Sequence, residues 1–90
     1  MEDFIEALPV GDRASLRARI DFLAEVGNRV RAPLSKSLGG GLFELREKAS
    51  RIFYCFQPGG VIVLLHGFIK KSQKTPRREM EIAQKRMEEV

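Results

Sequence analysis

Residues 70–78 read KKSQKTPRR and hold five cations, Lys70, Lys71, Lys74, Arg77 and Arg78, with no acid among them. They follow the apolar run VIVLLHGFI and precede a segment that reads as a helix, so the cations gather where a strand leaves the core and a helix begins. Free N–H groups and the helix dipole already favour anions at such a place, and fixed cations add to it, which suits phosphate. Two arginines and a lysine stand upstream, Arg46, Lys48 and Arg51, around a short turn. Arginine forks two phosphate oxygens, whereas lysine offers a mobile point charge. Together they could bind RNA without catalysis, or stabilise the charge that develops on a phosphate under attack.

His66 is the only histidine and the natural candidate for a general acid or base near neutral pH. It alternates with Ile62, Leu64 and Phe68, which places it in the core as a hydrogen-bonded histidine. Glu44 shares a strand face with Arg46, and the expectation is an ordinary ion pair. Tyr54 reads as a core aromatic with its hydroxyl at the rim. Cys55, the single cysteine, permits no internal disulfide, fits a reducing cytoplasm, and reads as a small core residue. One His and one Cys do not make a zinc site, and no cofactor is implied. Gly39-Gly40-Gly41 lacks the Lys-Ser/Thr of a phosphate loop and precedes a strand, so it is a turn.

The elements that must position these groups follow from hydrophobic period and turn chemistry. Ninety residues make one small domain with a modest core. Residues 3–8 form one or two helical turns with Phe4, Ile5 and Leu8 on one side, stopped by Pro9 and Gly11. Asp12 caps a second helix over 12–26, with Leu16, Ile20, Leu23 and Ala24 inward and Arg13, Arg17 and Arg19 solvated. Gly27-Asn28 ends it. Residues 29–41 form a connector anchored by Leu34 and Leu38. Three strands follow, over 42–47, 51–57 and 61–69, joined by turns at Lys48-Ala49-Ser50 and Pro58-Gly59-Gly60. Their short turns make an antiparallel meander. Residues 61–69, apolar on both faces, read as its most buried strand.

The hairpin about Gly59 brings the strand exit at Lys70 beside Arg51. Arg46, Arg51, Lys70, Lys71 and Lys74 then line one concave patch. Thr75 caps the last helix and Pro76 takes its first position. Met80, Ala83, Met87 and Val90 form its core stripe, and Ile82 points off that stripe. The +4 charge permits a nucleic-acid partner without requiring one. The longest apolar run is about half a membrane span. The acidic start MEDFIEALP is no secretory signal.

In this order, LFELR (42–46), SRIFY (50–54), VLLHGFIKK (63–71), KTP (74–76) and Glu79 resemble the HigB-like, phage-derived branch of the RelE/ParE toxin superfamily. The resemblance implies an α+β, RelE-like fold: an N-terminal helical hairpin, an antiparallel sheet and a C-terminal helix. It implies the toxin of a type II toxin–antitoxin system, a cytoplasmic mRNA interferase that arrests growth by stopping translation. Such toxins cut mRNA, usually on the ribosome, with the RNA's own 2′-hydroxyl as nucleophile and no metal. A helix-turn-helix antitoxin holds them in a hetero-oligomer.

By position, Arg51 matches the arginine that contacts the scissile phosphate. Lys70 or Lys71 matches the basic end of the last strand, and Arg46 the basic end of the ELR strand. Lys48, Lys74, Arg77 and Arg78 are then RNA-binding cations. ParE-type relatives share the fold but poison DNA gyrase, so a gyrase-directed or degenerate protein-binding module is the alternative. This chain departs from the superfamily in lacking a strand before the helical hairpin, which implies an upstream start or an open sheet edge. It also carries Glu44 where RelE-type sites often have lysine.

Overall fold

The structure, a computed structural model, describes residues 1–30, 33–71, 74 and 76–90. Two helices open the chain, α1 (Glu2–Glu6) and α2 (Val10–Val26), followed by a short 3-10 turn, Gly27–Arg29. Four strands come next: β1 (Ser35–Gly39), β2 (Leu42–Glu47), β3 (Ser50–Gln57) and β4 (Val61–Ile69). Helix α3 (Arg77–Glu88) closes the fold. The strands form one antiparallel sheet in the order β1-β2-β3-β4. The α+β class, the helical hairpin and the C-terminal helix are as the sequence implies.

The described residues form four strands where the sequence implies three. The connector over 29–41 contains β1, whose Ser35, Lys36 and Ser37 pair with Leu45, Glu44 and Phe43. Its composition, SKSLG, lacks the β-branched and aromatic residues that mark a strand, and pairing to β2 supplies what propensity does not. The three glycines make the β1–β2 turn, all at positive φ (91°, 63° and 88°).

Helix α2 begins at Val10 rather than Asp12. Extended Pro9 turns the chain in, and its carbonyl accepts from the Arg13 N–H at 2.8 Å. Asp12 lies inside the first turn, where a carboxylate still favours the helix dipole. Leu16 and Leu23 are buried and Ile20 partly so, whereas Ala24 is exposed, contrary to the periodicity reading. The arginines of α2 are paired: Arg13 with Glu6, Arg17 with Glu2 and Glu6, and Arg19 with Glu47.

Helices cover both faces of the sheet, and each layer has its own core. Ile5, Leu8, Leu16 and Leu23 pack on Leu45, Ile52 and Tyr54. On the other face Ala83, with Met80 and Met87 beside it, packs on Leu42, Phe53, Cys55, Leu65 and Phe68. Strand β3 therefore feeds both cores and is the most buried strand. Strand β4 lies at the sheet edge, which corrects the reading of 61–69 as most buried. It is apolar on both faces because a helix lies on each side of it, not because strands flank it. Val90 falls outside the stripe of α3 and is exposed. Pro76 is the N-cap residue of α3 instead of its first helical residue, and the Thr75 cap lies outside the described residues.

A bulge in β4 decides which residues face which helix. Phe53 pairs with His66, but Tyr54 pairs with Leu64, so Leu65 is an extra residue. Before it, Ile62 and Leu64 pack with the α1–α2 layer. After it the alternation is inverted: His66 and Phe68 stand on the α3 face, and Gly67 turns under α1. The Phe4 ring packs against Gly67, so close that an added Cβ would stand 2.5 Å from it.

Tyr54 is fully buried, with its hydroxyl 2.5 Å from that of Ser35 in β1 rather than at the rim. Burial pushes its phenol above the usual tyrosine value, and the bond to Ser35 offsets part of this. No helix among the described residues is long and apolar enough to cross a membrane. Gly67→Ala should destabilise the protein by about 1–3 kcal/mol through the clash with Phe4. A urea melt checks this, and the cost of Gly67→Ala should be smaller when measured in a Phe4→Ala background.

Candidate nucleic-acid interface

The α3 face of the sheet holds two rows of side chains that bear on chemistry. One row runs Lys36–Glu44–Phe53–His66 across β1 to β4, and the next runs Arg46–Arg51–Phe68 across β2 to β4. Arg46 and Arg51 are direct cross-strand partners beside the Lys48-Ala49 turn. Two like charges placed opposite each other destabilise a sheet unless something neutralises them. Glu44 does so for Arg46: its carboxylate is fully buried and accepts from Arg46 Nε at 3.0 Å.

Arg51 is neutralised by backbone. Its Nη1 donates to the carbonyls of Lys48 (2.6 Å) and Ser50 (2.9 Å). Lys48 has φ +54°, a left-handed conformation that closes the tight turn. Arg51 Nε is buried and finds no acceptor among the described residues. A buried donor without a partner costs about 1–3 kcal/mol, so an incoming acceptor at this point would be favoured.

Strand β4 leaves the sheet as expected. Ile69 pairs with Ser50, and the Lys70 N–H donates to the Ala49 carbonyl at 2.8 Å. Lys70 is half-buried at the same end of the sheet as Arg46 and Arg51. Lys71, Lys74, Arg77 and Arg78 continue outward and are exposed. Arg77 pairs with Glu81 one helical turn on, an exposed contact worth only a few tenths of a kcal/mol. Lys48 does not join the patch: its Nζ lies 3.3 Å from Asp12 of α2, on the opposite side of the sheet.

His66 is where the sequence reading fails most. It is hydrogen-bonded, as expected, but it does not share a core with Ile62 and Leu64. The Leu65 bulge turns it toward α3, where its side chain is 16% exposed. Its Nε2 is 2.6 Å from Glu79 Oε1, and its Nδ1 is 3.4 Å from Arg86 Nη1. Phe68 stacks on it at 6.3 Å between centroids, with Phe53 at 6.5 Å. Arg86 Nη1 makes a second, shorter bond, to the Leu65 carbonyl at 2.9 Å.

Three residues of this surface were missed as site residues. Lys36 sits opposite Glu44 but lay in the segment read as a connector. Glu79 and Arg86 are seven residues apart on α3, and that two-turn spacing is the signal that puts both over one strand. Cys55 is buried, which pushes its thiol above the ordinary value and makes it a poor nucleophile.

Against this geometry the family is clear. The family model of the phage-derived Gp49-like proteins (DUF891) matches residues 3–88, and the chain belongs to that family, one of RelE/HigB-like toxins. No curated protein matches the chain.

Arg46→Leu should lower stability by about 1.5–3 kcal/mol, because the buried Glu44 carboxylate loses a charged partner. A denaturant melt reads this, and Arg46→Leu combined with Glu44→Gln should be less destabilised than Arg46→Leu alone. Equal stability of Arg46→Leu and wild type would show that the pair holds nothing.

Proposed function

We propose that the protein is the toxin of a type II toxin–antitoxin pair and a metal-independent mRNA interferase of the HigB-like kind. The observation that carries this reading is the pairing of Arg46 with Arg51 at one end of the sheet, with a buried Arg51 Nε that has no acceptor among the described residues. Lys70 stands beside the same turn. A phosphodiester supplies what the place lacks: an acceptor for Nε and negative charge between two guanidinium groups. Lys36, Lys71, Lys74, Arg77 and Arg78 extend the cationic surface along the strand and past it, suited to the neighbouring phosphates of a single strand.

In this reading the RNA 2′-hydroxyl attacks its own 3′-phosphate, and Arg51, Arg46 and Lys70 or Lys71 bear the charge of the transition state. The message is bound on the ribosome in the cytoplasm, and its loss stops translation and growth. The cognate partner is a helix-turn-helix antitoxin that presents an acidic segment to the 70–78 loop, since opposite charges steer association and cover the cations. Its second contact is α3, where Ile82 is half-buried and belongs to neither core, or the outer edge of β4.

Primer extension on transcripts after induction tests the activity. Discrete cuts within coding sequence are expected, and Arg51→Ala should abolish both the cuts and growth arrest while leaving the circular dichroism spectrum unchanged. Intact transcripts with DNA damage would point instead to gyrase. Undiminished cutting by Arg51→Ala would remove that residue from the site.

A further inference from the structure

The two ring nitrogens of His66 face groups of opposite kind, and this fixes its tautomer. A guanidinium has N–H donors and no acceptor, so Nδ1, facing Arg86 Nη1 at 3.4 Å, presents its lone pair. The neutral ring then carries its proton on Nε2 and donates it to Glu79 Oε1 at 2.6 Å. A carboxylate that holds one imidazole nitrogen as N–H leaves the other as a base of defined direction. Arg86 does not lock that base. Its short bond is to the Leu65 carbonyl at 2.9 Å, the contact with Nδ1 is at the outer limit of a hydrogen bond, and Arg86 is itself exposed. An arriving phosphate can draw the guanidinium off Nδ1.

Resting on the RNA-cleaving reading above, we infer that His66 is the general base of the reaction, that Glu79 orients it, and that Arg86 holds the reacting phosphate beside it. The ligand is a ribose 2′-hydroxyl with its adjoining 3′-phosphodiester. The O2′ proton passes to His66 Nδ1 as the O2′–P bond forms. The P–O5′ bond breaks, and the departing O5′ takes a proton from solvent. His66 then returns its proton to solvent. The products are a 2′,3′-cyclic phosphate and a 5′-hydroxyl, and no water, electron or metal is consumed. Arg51 pairs with Phe68, two residues along β4 from His66 on the same face. That diagonal is about 7–8 Å between neighbouring strands, so Arg51 and Arg86 can approach one phosphate from two sides.

The rival role for the same contacts is to pin α3 to the sheet. Ala83, Met80 and Met87 already do this by burial, which leaves a short, partly exposed His–Glu pair with no packing task of its own.

Single-turnover cutting of ribosome-bound mRNA by the antitoxin-free protein separates these roles. His66→Gln and His66→Ala should cut about 10²–10⁴-fold more slowly at saturating protein while binding the message as wild type does. Imidazole in the buffer should restore cutting by His66→Ala. Glu79→Gln should slow the step less, since its amide oxygen can still accept from Nε2. Folded His66→Gln that cuts at the wild-type rate would overturn the inference. So would a loss that merely follows unfolding in both His66 variants with no rescue by imidazole. Intact mRNA with wild-type protein would instead refute the RNA-cleaving reading, and this assignment would fall with it.

Discussion

One extra residue in strand β4 sets the chemistry of the α3 face. Without the bulge at Leu65, His66 would lie opposite Ile52 and face the α1–α2 core, and the ring of Phe4 would have no glycine beneath it. With it, the imidazole joins Glu79 and Arg86, while Gly67 takes the crowded place under Phe4. A bulge is tolerated there because β4 is an edge strand, with one neighbour instead of two. The Leu65 carbonyl accepts from Arg86 instead. The same contact blunts part of an edge that would otherwise invite another strand.

The second constraint is charge. Arg46 and Arg51 stand directly opposite each other and only partly exposed, a placement that needs compensation. The fold supplies it differently to each, by a fully buried carboxylate for Arg46 and by two backbone carbonyls for Arg51. Neutralisation by carbonyl dipoles is partial, and among the described residues Arg51 Nε finds no acceptor. The protein thus keeps two arginines fixed in position before any ligand arrives, which lowers the ordering cost of binding.

Much of the fold was legible in the sequence, for identifiable reasons. The face assignments in β2 and β3 follow from strict alternation, and Ile52, Tyr54 and Phe56 do oppose Phe53 and Cys55. The meeting of Arg46, Arg51 and Lys70 follows from counting residues back from two short turns. What failed lay where pairing overrides pattern. β1 has almost no apolar residue of its own, so no period reveals it. The bulge cannot be seen in VIVLLHGFI, because an apolar run reads the same in either register. With the register hidden, the place of His66 was hidden too. Lys48 was assigned by proximity in sequence, but its left-handed backbone and Asp12 take it to the other side.

On this reading the sheet face carrying Arg46, Arg51 and His66 receives RNA. Amide and side-chain NMR shifts during titration with a short RNA whose 2′-hydroxyls are methylated test it most directly, since that ligand binds but cannot be cut. Perturbations should concentrate on Lys36, Arg46, Arg51, His66, Lys70 and Arg86, and the imidazole resonances of His66 should move with those of Arg86. Shifts confined to α2 and the outer side of α1, with the His66 ring unmoved at saturation, would contradict it.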